Sequence, residues 1–308
     1  MIISASRRSD IPAYYSEWFL NRLKAGYVLT RNPMNHAQIS KIELSPQVID
    51  GIVFWSKDPL NLMDQLPLID LMGYRYYFQF TLTPYDRELE PYVRNKQDLI
   101  KTFGKLSEML GKDRVLWRYD PIIMNHKITP DYHKKMFEQF CRQLRTFTNI
   151  CTISFVDKYT KLSKARVGNL IRELTLPEMY QMAAAFSEIA GCYGIELRAC
   201  CEQVDLSEYG IIPASCIDQQ TIEKVCGYKI NVKRDTNQRI GCGCIQSIDI
   251  GAYNTCKHGC IYCYANYSDS SIHNNCRKHD PYSDILIGSI EAGEIIIPRK
   301  MVLLKKDQ

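Results

Sequence analysis

Short apolar runs rich in Val, Ile, Phe, Tyr and Trp recur along the first two thirds of the chain, at 2–6, 51–57, 75–83, 114–119, 151–157 and 195–200. Their length and composition predict β-strands. Between them, apolar positions recur at helical spacing over 16–25, 96–110, 129–146 and 176–193, which predicts helices. Thr129 followed by Pro130 forms an N-cap and first-turn pair, Pro177 opens the last helix in the same way, and Gly111 ends the second. Residues 27–44 read either as a strand or as a hairpin turning at Asn32-Pro33. No internal repeat or low-complexity tract interrupts this rhythm.

Strand–helix–strand alternation predicts a parallel sheet with helical crossovers. One strand within 27–44 and one at 245–251 bring the count to about eight, the number in a closed (β/α) barrel. The expected fold is therefore α/β, a (β/α) barrel, TIM-like or partial. Residues 1–240 form its body, and a C-terminal cysteine-rich segment, 241–308, completes the same domain. The apolar runs finish in polar residues: Arg7, Arg8 and Asp10 after the first, Lys57 and Asp58 after the second, then Gln79 and Thr81, Arg118 and Asp120, Asp157 and Lys158, and Arg198 and Glu202. Active sites of β/α folds lie at these carboxyl ends. Arg118 and Asp120, two apart on one strand, share a face. Together with Arg8 they are the candidate catalytic residues, and Asp10 is a candidate partner for the arginines.

Composition changes this picture in one respect. Hydrophobic residues at 45% and charged residues at 24% are ordinary for a globular protein. The net charge of +5 is mild and leaves nucleic acid a weakly supported partner. No apolar run reaches the roughly 20 residues of a membrane span, and the N-terminus lacks the pattern of a secretory signal, so a cytoplasmic location without a membrane partner is expected. Cysteine stands apart: of 13, ten lie at or after position 200. In a reducing compartment such density points to metal or redox chemistry rather than disulfides. Cys141, Cys151 and Cys192, and later Cys226 and Cys276, read as ordinary thiols.

The sharpest motif is CKHGCIYCYAN at 256–266, with C-x3-C-x2-C spacing. Gly259 permits a tight turn before the second thiol. A four-iron cube ordinarily takes four thiolates, so Cys256, Cys260 and Cys263 would leave one iron open. A zinc site using Cys260 and Cys263 with Cys242 and Cys244 is the alternative. Cys201, Cys216, Cys242 and Cys244 are the candidate ligands of a second, auxiliary [4Fe-4S] cluster.

The motif, with Tyr262 before its last cysteine, resembles the radical S-adenosylmethionine (SAM) signature. The resemblance implies a [4Fe-4S] cluster whose open iron chelates SAM. It further implies reductive cleavage to a 5′-deoxyadenosyl radical, hydrogen abstraction from a substrate, and an electron donor such as flavodoxin or ferredoxin. Tyr262, Asp249 and Tyr253 become candidate cofactor-binding residues, and His258 is expected to face solvent. The loop lies near the C-terminus rather than after the first strand, which looks like a circular permutation that sets the last strand beside the first. Distant similarity to spore photoproduct lyase raises nucleic acid as a substrate. The whole chain resembles an uncharacterised prokaryotic family, domain of unknown function 1848, through segments such as SASRRSDIPAYY at 4–15, VFWSKDP at 53–59, RVLWRYDPI at 114–122 and DIGAYNTCKHGCIYCYAN at 249–266. The competing expectations are an iron–sulfur electron-transfer or redox-sensing protein without SAM, and a zinc-stapled binding module.

Overall fold

The computed structural model describes residues 1–156, 170–239 and 241–306. Its strands are β1 (Ile2–Ala5), β2 (Tyr27–Asn32), β3 (Asn35–Glu43), β4 (Gly51–Ser56), β5 (Tyr76–Thr81), β6 (Val115–Ile122), β7 (Ile150–Phe155), β8 (Glu196–Cys200), β9 (Ile212–Ala214), β10 (Ile248–Asp249) and β11 (Ile295–Pro298). Eight of them form one sheet in the order β10-β1-β4-β5-β6-β7-β8-β9. Every neighbouring pair in it is parallel. The chain is an α/β protein built on this sheet, and β10 does lie beside β1 as the permuted arrangement requires.

Two expectations need correction. Residues 27–44 contribute no strand to the large sheet. They form an antiparallel hairpin, β2–β3, which joins β11 in a separate three-stranded sheet. The eighth strand is instead β9, only three residues long and carrying Pro213, too short and irregular to stand out as a pattern. Nor does strand pairing close a barrel among the described residues: β9 and β10 are the edges of the sheet. With three and two residues, neither has the length for a ladder to the other. The predicted strand end at Asp157, with Lys158, lies outside the described residues.

Helices cover the outer face, and the cap expected at Thr129 is formed. Thr129 caps Pro130–Leu144, and Thr175 with Glu178 makes a capping box at Leu176–Cys192. Asn95 caps Lys96–Leu110, which ends at Gly111. Alternation along the strands divides the sheet. Phe54, Phe78, Phe80, Trp117 and Tyr119 belong to the outer core. There Trp117 stacks on Phe137 at 5.2 Å and Phe80 meets Phe103 at 5.0 Å. Each such fully buried aromatic contributes about 2–3 kcal/mol. The other face carries Ile2, Val53, Tyr77 and Leu116, packed with Ile222 and Ile230. Toward the carboxyl ends the same face turns polar, with Trp55, Arg118 and Asp120 lining a cavity. No helix among the described residues is long and apolar enough to cross a membrane.

Candidate metal centre and the cavity around it

The carboxyl ends of the sheet open into one cavity of about 920 Å³. Every predicted site residue lines it: Arg8, Arg118 and Asp120; Asp249, Tyr253 and Tyr262; Cys256, Cys260 and Cys263; and Cys201, Cys216, Cys242 and Cys244. Residues spread from position 8 to 263 meet there because parallel strands bring all their carboxyl ends to one side.

The loop 256–263 is held by its own backbone and by its neighbours. Tyr92 N donates to His258 O at 3.2 Å, and Ile261 N to Leu89 O at 3.1 Å. Gly259 has φ +71°, and a Cβ there would lie 2.7 Å from the Tyr92 ring, so the turn requires glycine. Cys260 is buried, whereas Cys256 and Cys263 are half-buried. Burial pushes the Cys260 thiol up to about 12, against the pull of Lys57. Burial, followed by the charge of Asp10, drives Cys256 well above the ordinary thiol range.

Two carboxylates anchor this loop. Asp10 accepts from Ser56 Oγ at 2.7 Å, Lys57 N at 2.8 Å and Ala13 N at 3.0 Å, and pairs with His258 Nε2 at 2.8 Å. His258 Nδ1 meets Tyr14 OH at 2.9 Å. His258 is therefore buried, contrary to the expectation that it faces solvent, because Asp10 draws it in. Asp10 itself is occupied by these groups rather than by Arg7 or Arg8. Glu90, only 1% exposed, accepts from Tyr262 OH, from Thr83 Oγ1 at 2.6 Å, and from the ammonium groups of Lys57 (2.8 Å) and Lys96. Burial opposes its ionisation, but the two lysines outweigh it and hold the carboxyl at about 2. Burial also works against both ammoniums. Glu90 outweighs it at Lys57, which rises, whereas burial prevails at Lys96, which falls. Tyr262 thus ties the cysteine loop to a buried charge cluster.

Asp249 joins β10 to the turn after β1. It accepts from Ser6 Oγ at 2.7 Å, Arg7 N at 2.8 Å, Ser4 Oγ at 2.9 Å and Gly251 N at 3.0 Å. Tyr253 stacks with Tyr267 at 5.8 Å and lies 5.2 Å beneath the Arg8 guanidinium. Arg118, 5% exposed, pairs with Asp120, which also accepts from Ser154 Oγ. Burial opposes ionisation of Asp120, yet Arg118 outweighs it and the carboxyl lies below its ordinary value.

The remaining thiols gather in the same cavity. Cys200 Sγ lies 2.8 Å from Cys216 Sγ, Cys216 contacts Cys244, and Cys244 contacts Cys242. Cys201, with φ 58°, lines the cavity beside them. Contact with Cys200 lowers the Cys216 thiol, but contact with Cys244 and burial bring it to about 11. Among the described residues no three His, Cys, Asp or Glu side chains converge on a point that one metal ion could occupy. Sequence reasoning missed Cys200 as a partner of Cys216, although the CC pair was visible. It also missed Glu90, which lies outside any motif, and the pairing of Asp10 with His258.

The family model for a domain of unknown function, DUF1848, matches residues 2–265. The chain belongs to that family. No curated protein matches. A solved structure described as a "putative alpha-L-fucosidase" from Bacteroides thetaiotaomicron is 11% identical, with 75% of this chain and 84% of that chain covered at a TM-score of 0.25. A likeness that slight supports no statement about fold or activity.

Proposed function

We propose that this protein is an iron–sulfur enzyme of the radical SAM kind, acting on a substrate held in the 920 Å³ cavity. The observation that carries the reading is the single loop bearing Cys256, Cys260 and Cys263, which opens onto the cavity at the carboxyl ends of the strands. Three thiols on one short loop suit a compact cluster and leave one iron for an outside ligand. When bound, a reduced [4Fe-4S] cluster with SAM on that iron supplies the radical chemistry, with electrons from a donor such as flavodoxin or ferredoxin.

The chain's own residues hold and shield that chemistry. Tyr262 and His258, fixed by Glu90 and Asp10, set the loop's orientation. Arg8, over Tyr253 on the cavity wall, is the cation placed to take a carboxylate such as that of SAM. Asp120, oriented by Arg118 and Ser154, faces the substrate as acceptor. We read the sheet as a nearly closed (β/α) barrel. A backbone bond from Ile245 N to Ile217 O at 3.1 Å, between the segments beyond β9 and before β10, supports this.

Anaerobically reconstituted, reduced protein given SAM is expected to release 5′-deoxyadenosine, and a Cys260→Ala variant to release none. Equal yields from both would refute the reading. A SAM-induced change in the cluster's spectrum separates it from a fully thiolate-ligated electron carrier, which has no open iron to respond. Loss of the cavity's affinity for single-stranded or duplex DNA with rising salt would identify nucleic acid as the substrate class.

A further inference from the structure

We propose that Cys200, Cys216, Cys242 and Cys244 hold a second iron–sulfur cluster, a [4Fe-4S] centre ligated by four thiolates, in the same cavity as the first. Its placement rests on contacts remote from the 256–263 loop and stands whether or not SAM is the first cluster's ligand.

The four sulfurs come from three segments: the end of β8, the residues just past β9, and the Cys242-Gly243-Cys244 run before β10. Pairing of β8 with β9 sets Cys200 opposite Ala214, so Cys216, two residues further on, arrives on the same side. Gly243 brings in the third segment. A Cβ there would sit 2.5 Å from Ser215 Oγ, so the two segments pass closely at this glycine. All four thiols are buried, between 2% and 9% exposed.

The surroundings fit bound thiolates better than free thiols. Arg118 Nη1 donates to Cys216 Sγ at 2.9 Å, and Ile217 N to Cys244 Sγ at 3.4 Å. Tyr77 OH and Gln79 Nε2 hold the Cys216 carbonyl at 2.9 and 2.7 Å, which fixes the ligand's backbone. Donors to sulfur and fixed ligand backbones are what metal-bound cysteines take from their neighbours.

Charge points the same way. Arg7 and Arg118 lie over the Trp55 ring at 5.2 and 5.5 Å. Both guanidiniums are cationic at any physiological pH. Arg118 has Asp120 as its ion-pair partner. Arg7 Nη2 is buried with no hydrogen-bond partner, and Cys244 and Cys216 are the groups whose negative charge would reach it most strongly. Asp249 supplies a further, weaker counter-charge to Arg7. Four thiolates on a [4Fe-4S]²⁺ core carry the net negative charge that two arginines can share. A single zinc ion needs its sulfurs about 3.8 Å apart around one point. Cys200 and Cys216, with sulfurs 2.8 Å apart, must part to take either zinc or the larger cube, and metal analysis separates the two.

The test counts metal in the full chain. In a Cys256→Ala, Cys260→Ala, Cys263→Ala variant, anaerobic reconstitution is expected to leave about four irons and their sulfide per chain, with a brown absorption band. Wild type should bind about eight. A Cys216→Ser, Cys244→Ser variant should fall to about four while its spectrum still responds to SAM if the first reading holds. Far-UV circular dichroism verifies that each variant is folded. A folded triple variant with no iron, or with zinc in place of iron, overturns the proposal, as does a folded double variant that keeps about eight irons.

Discussion

The two groups of cysteines in the cavity are built in opposite ways. Cys256, Cys260 and Cys263 sit on one short loop whose nearest charges include two carboxylates, Asp10 and Glu90, each consumed by neighbouring donors. Cys200, Cys216, Cys242 and Cys244 come from three separated segments, and the charges beside them are guanidiniums, one of which donates directly to sulfur. The loop's shape is set by local chain geometry and pinned from outside. The second group has no shape until the sheet assembles. The contrast teaches that a group of thiols can be specified by spacing along the chain or by strand order, and that only the first kind needs a motif.

The largest effect expected from breaking this contrast comes at Glu90. Glu90→Gln leaves Lys57 and Lys96 buried with no carboxylate between them and weakens the anchor of Tyr262. A loss of about 3–5 kcal/mol of stability follows from breaking such a buried pair. Chemical denaturation should show it, and any iron lost on reconstitution should come from the loop site. A smaller effect, outside both sites, comes from His133. Its Nε2 donates to Ile123 O and its Nδ1 accepts from Tyr119 OH, each at 2.8 Å, and burial pushes the imidazole down to about 4. Because the folded-state value lies below that of the unfolded chain, the unfolded chain takes up the proton first. Stability is therefore full above pH 6.5 and declines by about 3 kcal/mol as pH falls towards 4. His133→Gln should remove this slope from a plot of unfolding free energy against pH. The smallest effect, again confined to the loop, is Gly259→Ala. Positive φ and the nearby Tyr92 ring should cost about 2 kcal/mol. Thermal unfolding should register it, with the iron of the second group unchanged.

Much of the scaffold was legible in the chain. The helix start at Thr129 follows from a side chain that caps its own backbone, and six strands of the large sheet follow from apolar runs. β9 was not legible, because three residues including a proline carry no period. Residues 27–44 were legible as a strand or a hairpin, but not as part of a separate sheet, since that depends on β11 more than 250 residues away. The same limit hid Glu90, whose role exists only because two lysines and Tyr262 come to it through space.

By itself the sequence determined the C-x3-C-x2-C loop, the caps, and the polar residues that finish each strand. These are properties of neighbours along the chain, set by covalent spacing and local backbone preference. Tertiary structure alone decided that Cys200 meets Cys216, that His258 turns inward to Asp10, and that Arg7 and Arg118 flank one tryptophan. Those contacts join residues tens to hundreds of positions apart, and they form only when parallel strands gather their carboxyl ends around a common space.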